Sequence, residues 1–165
     1  MSRSIIENRF YNFGGNKIHI YNLLLSKIMS AEGKTFCGEY KQSQLWKFSI
    51  SGDAPILMTE IKSIKDIIFV KQFIDAMEYL NIKKVKLDMV ILIDELTKEQ
   101  YIENKIREYI YAKNILYLLD VDFGIHILNK RKISKEDLEM FYSCVDVYFE
   151  ASKGSLEEQL EGGEK

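Results

Sequence analysis

The feature that most constrains the fold is an alternation of short apolar runs with longer amphipathic segments, which begins at Pro55. Four β-branched or aromatic runs predict strands: "PILMTEI", "VKLDMVILI", "GIHIL" and "VDVYF". The second run becomes continuously apolar, which is typical of a strand buried on both faces. Strands joined by helices favour parallel pairing with right-handed crossovers. We therefore predict an α/β fold of layered βαβ units with a largely parallel sheet, and a ferredoxin-like α+β fold with a mixed sheet is the alternative.

Helix-length amphipathic segments lie between the predicted strands. In the first, Ile67, Val70 and Ile74 recur at helical spacing, while Asp75 and Glu78 fall on the other side. The second segment, "TKEQYIENKIREYIYAKN", repeats this pattern with an apolar face made of Tyr101, Ile102, Ile106, Tyr109 and Ile110. Each segment thus predicts a helix that packs through one face.

Four helices are predicted to begin at a capping motif. A hydroxyl residue stands three positions before a polar side chain in Ser63–Asp66, Thr97–Gln100, Ser134–Asp137 and Ser155–Glu158. The hydroxyl can cap the free N–H groups at the helix start, and the second side chain can bond back to the cap.

The N-terminal part of the chain has a different pattern. The stretch "KIHIYNLLLSKIM" is apolar on nearly all sides, which predicts a helix buried between elements or packed on a partner. A polar connector, "SAEGKTFCGEYKQSQ", follows it. We therefore assign residues 1–41 to an N-terminal helical lead-in and connector, and residues 42–165 to the α/β module.

Charge and cysteine content exclude some classes of function. The 23 Lys and Arg residues nearly balance the 25 Asp and Glu residues, so no basic field is present to bind nucleic acid. No apolar run approaches the roughly 18 residues that span a bilayer, so no membrane insertion is expected. Cys37 and Cys144 lie far apart and follow no metal-binding spacing, which predicts reduced core thiols and a cytoplasmic location.

The residues that most often carry catalysis do not form a recognisable constellation. His19 and His126 are the only histidines, and we interpret His126 as a strand side chain with a local hydrogen bond. Asp94 and Glu95 follow the second strand, where open α/β sheets place their ligand crevice. However, adjacent residues on an extended strand point to opposite faces, so these carboxylates do not form an acid/base pair.

A glycine turn near the C-terminus is the remaining candidate for a small ligand. "SKGS" places Gly154 between a predicted strand and the N-terminus of a helix, a geometry that can receive an anion. A single glycine does not make a phosphate-binding loop, so we favour a plain strand-to-helix turn.

The stretch "QLWKFSISGDAPI" contains the only Trp and the only Pro of the chain. The alternation in "LWKFSI" predicts a strand, and Ser51, Gly52 and Asp53 predict a tight turn that uses the backbone freedom of glycine. In this interpretation Trp46 is buried under the sheet. If Trp46 serves instead as a platform on which a sugar stacks, its ring stays exposed.

"LWKFSISGDAPI" resembles a signature of the cyclic β-1,2-glucan synthase and β-oligoglucan phosphorylase group of glycoside hydrolase family 94, formerly glycosyltransferase family 36. The usual form there is LW-x-x-GISGDLPI. Two further blocks follow in the same order. "IKDIIFVKQFIDAMEYLNIKKVKLDMVILIDE" resembles a helix with a central "hEY" before a "VDLVILNE" strand, and "FEASKGSLEEQL" resembles a strand-loop-helix with "GTLxEQ".

The resemblance extends over about residues 42–160, with departures at a few positions of the three blocks. Ser49, Ala54 and Ile93 replace the family's usual Gly, Leu and Asn. The positions that match are Leu45, Trp46, Ile50, Ser51, Gly52, Asp53, Pro55, Ile56, Asp88, Gly154 and Ser155.

What the resemblance implies is an accessory module of a larger enzyme. Members of the family place β-sandwich regions before an (α/α)₆ barrel, which carries the general-acid Asp and the phosphate-binding residues. There, phosphate attacks the anomeric carbon with inversion of configuration. Neither barrel motif occurs in this chain, so the resemblance implies no catalytic residue, no metal and no cofactor here. Inorganic phosphate is the co-substrate of the parent enzyme only.

The expected function is therefore that of a non-catalytic fragment or module, derived from a split or truncated reading frame or an excised domain. The implied partners are the catalytic barrel and β-sandwich regions of the parent enzyme and, indirectly, β-glucan. Phosphorylase is favoured over synthase, because nothing in the chain resembles membrane spans or a nucleotide-sugar transferase domain. The alternative is a stand-alone α/β interaction module with no enzymatic activity.

The candidate substrate-binding loop consists of Ser51, Gly52 and Asp53. In the parent enzyme these residues would order a loop near the glucan site or seat the barrel. The other interpretation, which we favour, is a purely structural turn.

Overall fold

A computed structural model describes residues 15–31, 40–96, 98 and 100–162. Their four strands are β1 (Ile56–Ile61), β2 (Asp88–Ile93), β3 (Ile125–Asn129) and β4 (Val147–Glu150). The strands form one sheet in the order β3-β2-β1-β4, and every neighbouring pair is parallel. The predicted α/β fold with a parallel sheet is confirmed, and the mixed sheet of the ferredoxin-like alternative is wrong.

Five α-helices accompany the sheet in the described part of the chain. They are α1 (Gly15–Ser30), α2 (Ile67–Ile82), α3 (Tyr101–Ala112), α4 (Lys135–Cys144) and α5 (Leu156–Gly162). Helices α1, α2, α3 and α5 share a hydrophobic core with one face of the sheet. Helix α4 covers the other face together with a 3-10 helix, Gln42–Phe48. The sheet is therefore the middle of three layers.

The pleat of the strands decides which side chains enter each layer. On β1, Leu57 and Ile61 join the core beneath α2, whereas Ile56 and Met58 join the core beneath α4. All six residues of β1 and all six of β2 are buried. A strand covered on both faces needs apolar residues at nearly every position, which explains the continuous apolar run in the sequence.

Helix α1 packs through one face only. Tyr21, Leu24 and Ile28 are buried against the domain, while His19 and Met29 are exposed. The alternative in which this helix is buried between elements on nearly all sides is therefore wrong, and the alternative in which it packs on a partner stays a prediction. Since α1 contacts α2 and α5, it belongs to the same core as the sheet. The domain boundary after residue 41 stays a prediction.

Three of the four predicted caps are present. The hydroxyls of Ser63 and Ser134 each accept a hydrogen bond from a backbone N–H of the turn that follows. Ser155 and Glu158 cap each other reciprocally, with side-chain to backbone distances of 3.1 and 3.2 Å. The fourth predicted cap, Thr97, lies outside the described residues.

Two acidic residues of α2 that were expected on the solvent side are buried. Asp75 and Glu78 turn towards α3, where the ammonium group of Lys113 lies 2.7 Å from Asp75 and 3.1 Å from Glu78. The Tyr109 hydroxyl also donates to Asp75, at 2.6 Å. Burial and the two nearby carboxylates raise the pKa of Tyr21, whose phenol therefore stays neutral. The ion pairs of this cluster join α2 to the end of α3, and Tyr21 of α1 lies beside them.

The prediction of reduced thiols is wrong for Cys144, which is disulfide-bonded. Cys37 lies outside the described residues. The cytoplasmic location stays a prediction, but it no longer has the support of a reduced Cys144. No helix of the described ranges is long and apolar enough to cross a membrane.

Candidate functional site

In this topology a ligand site is expected at the carboxyl ends of the strands. Open α/β sheets bind ligands there, next to the point where the strand order changes direction. Here the chain runs from β1 to β2 and β3 on one side and then crosses to β4 on the other. The switch point lies between β1 and β4, where Glu60 and Glu150 are paired in register.

Glu60 is the centre of a polar cluster at this switch point. Its Oε1 accepts hydrogen bonds from the Tyr142 and Tyr148 hydroxyls, and Lys130 Nζ lies 3.3 Å from its Oε2. Burial alone would raise the pKa of Glu60, but the hydrogen bond from Tyr142 and the charge of Lys130 outweigh it and lower the pKa. Burial, followed by the hydrogen bond to Glu60, raises the pKa of Tyr142. The carboxylate therefore stays charged and the phenol neutral.

The space left at the switch point is too small for an organic ligand. It measures about 60 Å³ and is lined by Glu60, Lys62, Asp66, Glu150 and Ser152. Such a volume holds a few water molecules, whereas small-molecule sites measure about 300–1,000 Å³. In the described part of the chain no three His, Cys, Asp or Glu residues are grouped so as to hold a metal ion. Among the described residues, the side chains at the switch point therefore leave room only for water.

Asp94 and Glu95, which follow β2, bind different partners. Asp94 accepts from Arg131 Nε at 2.8 Å. Glu95 is buried and accepts from the backbone N–H groups of Ile102 and Glu103, both at 3.0 Å. The cap of α3 is thus a carboxylate from the strand end. That these two residues form no acid/base pair stays a prediction.

The turn at Gly154 is a plain strand-to-helix connection. Gly154 has a φ of 105°, in the region that favours glycine. The first backbone N–H groups of α5 already have protein partners, since Ser155 and Glu158 cap each other and Leu156 donates to Gln72. These three N–H groups are therefore not available to an anion, and the predicted strand-to-helix turn is present at Gly154.

His126 is a buried strand residue whose partner lies on the neighbouring strand. Its Nε2 is 2.9 Å from Asp88 Oδ1, and the same oxygen accepts from Phe123 N at 2.8 Å. The sequence predicted a hydrogen bond for His126 but placed it locally. His126 Nδ1 and Asp88 Oδ2 make no hydrogen bond to any described residue.

The segment "LWKFSI" lies at the amino ends of the strands, and it does not form the predicted strand. Residues Gln42–Phe48 form a 3-10 helix, in which side chains three positions apart point the same way. Leu45 and Phe48 therefore both face the core, and Phe48 packs edge-on against Phe141 at 5.0 Å. Trp46 points outward and is 63% exposed, so the prediction of a buried Trp46 is wrong.

The tight turn predicted at Ser51, Gly52 and Asp53 is present. The side-chain amide of Gln42 donates to Ser51 O and to Asp53 Oδ1, both at 2.7 Å. Gly52 has a φ of 85°, and a Cβ at this position would lie 2.4 Å from Gln42 Cγ. Trp46 Nε1 also donates to Ser51 O, at 3.1 Å. The turn is therefore fixed in place by its own loop.

Two clefts open at the amino ends of the strands, which we call the amino edge of the sheet. One measures about 330 Å³ and is lined by Trp46, Ser49, Ile50, Ser51 and Asp122. The other measures about 370 Å³ and is lined by Tyr111, Ala112, Asn114, Leu116 and Tyr117. Both are shallow depressions that open widely to solvent, not enclosed cavities. The candidate loop thus contributes Ser51 to a cleft, whereas Gly52 and Asp53 do not line it.

Sequence reasoning missed Asp122 and the aromatic residues of the second cleft. They lie in or beside "NILYLLDVDFG", which has no motif and no periodicity that marks a site. Comparison of the chain with family models, with curated proteins and with solved structures gave no match.

Proposed function

We propose that the chain is a non-catalytic module of a carbohydrate-active enzyme that resembles β-1,2-glucan phosphorylase and cyclic β-1,2-glucan synthase. The observation that carries this proposal is the position of the three blocks that resemble the family. The first forms the 3-10 helix, the turn and the start of β1; the second forms α2 and β2; the third forms the end of β4 and α5. Because β1 pairs with both β2 and β4, the blocks are neighbours in space.

Specific hydrogen bonds join these blocks. Asp88 N donates to Pro55 O at 2.9 Å, which links the second block to the first. Leu156 N donates to Gln72 at 3.0 Å, which links the third block to the second. Because the three matching blocks pack together as one unit, they support a resemblance of the whole module.

The state of the carboxylates supports a module without its own catalysis. Glu60 is bound by two tyrosines and a lysine, and Glu95 caps a helix. Asp75 is held by Lys113 and Tyr109. A general acid must reach a substrate oxygen, and each of these groups is instead occupied by a structural partner. Inverting phosphorolysis is assigned to the barrel of the parent enzyme, with inorganic phosphate as its co-substrate.

The proposed partners are the catalytic barrel and β-sandwich regions of that enzyme, and the proposed location is the cytoplasm. Phosphorylase remains the preferred parent. Incubation of the purified chain with β-1,2-glucan and inorganic phosphate should release no glucose 1-phosphate above a heat-denatured control. Release that follows the amount of folded chain would overturn the proposal.

A stand-alone interaction module is the second candidate. The observation that favours it is the exposure of large aromatic side chains at the amino edge: Trp46, Tyr111 and Tyr117 are each more than 60% exposed. Sequencing the DNA that flanks the coding region separates the two candidates. Barrel-encoding sequence in frame, or after one frameshift, supports the enzyme module, and an isolated gene with its own promoter supports the interaction module.

A further inference from the structure

We propose that the pocket between α1, α2 and α5 binds a small primary amine in its ammonium form. The pocket measures about 250 Å³. Its lining includes Tyr21 of α1, Asp75 of α2 and Leu156 of α5, which are only 3%, 7% and 2% exposed. The pocket therefore reaches the core of the domain. Such a binding site does not depend on the proposed function.

The three helices around the pocket are fixed to one another by short contacts. The rings of Tyr21 and Tyr79 pack with their centroids 5.0 Å apart, which joins α1 to α2. Leu156 N donates to Gln72 Oε1 at 3.0 Å, which joins α5 to α2. Because the walls are held by the fold itself, no segment has to become ordered before a ligand can bind.

Asp75 offers the pocket a carboxylate oxygen that the fold does not use. The hydroxyl of Tyr109 and the ammonium group of Lys113 both contact Oδ1, at 2.6 and 2.7 Å. Among the described residues, none donates a hydrogen bond to Oδ2. Asp75 is more than nine-tenths buried, and a buried carboxylate oxygen without a donor is unfavourable. A donor supplied by a ligand would satisfy this oxygen.

The hydroxyl of Tyr21 is the second polar group at the floor of the pocket. Burial and then the charges of Asp75 and Glu78 raise the pKa of Tyr21, and no hydrogen bond to a described residue contributes to this shift. The potential at the hydroxyl is therefore negative, despite the ammonium group of Lys113 beside the same carboxylates. A neutral phenol oxygen can accept a hydrogen bond from a cation.

These two groups select a cation that carries hydrogen-bond donors. An ammonium group can donate to Asp75 Oδ2 and to the oxygen of Tyr21, and charge-assisted hydrogen bonds of this kind are the stronger ones. A carboxylate or phosphate would instead be repelled by Asp75 and Glu78. Lys17 and Glu157 also line the pocket, and their opposite charges do not reverse this preference.

The volume and the apolar lining limit the size of the ligand. Ile20 and Leu156 add apolar surface to the pocket, which suits a short alkyl chain. The volume of about 250 Å³ lies below the roughly 300–1,000 Å³ of sites for drug-sized ligands. A primary amine with a short alkyl chain meets both limits. A quaternary ammonium ion has the charge but lacks the N–H donors.

Nuclear magnetic resonance titration of the isotope-labelled full chain with n-butylammonium chloride, at constant ionic strength, tests the site. The backbone amide signals around Tyr21, Asp75 and Leu156 should shift in a saturable way at millimolar concentrations. n-Butanol has the same alkyl chain without the charge, and tetramethylammonium has the charge without the donors. Each should bind at least about tenfold more weakly than n-butylammonium.

Two variants test the location of the ligand. Asp75→Asn removes the charge of the acceptor and should weaken binding at least about tenfold, provided that circular dichroism shows a folded chain. Ile20→Phe fills the pocket, leaves the ion pairs of Asp75 in place and should abolish the saturable shifts. Ile68→Phe is the matched control, because Ile68 is 66% exposed on α2 and does not line the pocket. Its affinity for n-butylammonium should equal that of the wild type.

The contradicting outcomes are equally specific. If n-butylammonium gives no saturable shift, the pocket holds only water and the amine site is wrong. Equal affinity for n-butanol, tighter binding of butyrate, or wild-type affinity in folded Ile20→Phe would also overturn it. If Asp75→Asn does not fold, Ile20→Phe and its control decide the question. None of these outcomes affects the proposed function, which is tested separately by the release of glucose 1-phosphate.

Discussion

Replacement of Lys113 by Met should destabilise the fold strongly. Lys113 lies between Asp75 and Glu78, and the side chains of all three residues are at most 9% exposed. Met keeps the length of the side chain but removes the ammonium group that lies between the two buried carboxylates. Breaking a buried ion pair from one side costs about 3–5 kcal/mol, a large fraction of the roughly 5–15 kcal/mol that stabilises a typical domain.

Chemical and thermal denaturation followed by circular dichroism measure this loss. For a domain of this size each kcal/mol corresponds to about 2–4 °C in Tm, so the variant should melt roughly 6–20 °C below the wild type. Lys105→Met is the control, because Lys105 pairs with Glu108 at the surface, at 3.6 Å. An exposed pair of this kind contributes less than about 1 kcal/mol.

A second substitution tests the assigned cause. Adding Glu78→Gln to Lys113→Met removes one of the two carboxylate charges that faced the ammonium group, so part of the lost stability should return. The reasoning is refuted if Lys113→Met melts within 2 °C or so of Lys105→Met, the shift expected from about 1 kcal/mol or less. It is also refuted if Glu78→Gln destabilises Lys113→Met further.

Three more predictions concern residues near the two ends of the strands. Because the pKa of Glu60 is lowered in the folded state, its contribution to stability is present above the ordinary Glu value and is lost as the pH falls. Glu60→Gln should therefore flatten the acid limb of a stability-against-pH curve, and an unchanged limb contradicts this. Native Trp46 emission should be red-shifted and readily quenched by iodide, and Trp46→Ala should change stability by about 0.5 kcal/mol or less; a blue-shifted, protected emission contradicts the exposed ring. Gly52→Ala should cost about 1 kcal/mol or more in urea denaturation, because of its positive φ and the contact with Gln42; wild-type stability would refute this.

The sequence predicted the sheet well because burial on both faces leaves a local signal. All six residues of β2 are buried, and after Asp88 the strand is a continuous apolar run from Met89 to Ile93. The caps at Ser63, Ser134 and Ser155 were also predictable, because a cap involves residues within one turn of the helix.

The predictions from the sequence were wrong where contacts with residues distant in the sequence decide the structure. In "LWKFSI", alternation and a three-residue spacing both suit so short a run, and packing of Phe48 on Phe141 selects the 3-10 helix. Asp75 and Glu78 follow the polar side of a helical pattern, but their cation comes from the end of α3. Asp122 carries no local signal, since its cleft is made by residues that are distant in the sequence.

We propose that the chain is a module of a glucan-active enzyme and has no catalysis of its own. Reconstitution tests this proposal with a β-1,2-glucan phosphorylase from which the corresponding module has been deleted. Sedimentation velocity should show a stoichiometric complex, and the added chain should raise phosphorolysis above that of the truncated enzyme. The claim is contradicted if no complex forms and phosphorolysis stays at the level of the truncated enzyme when the chain is in excess.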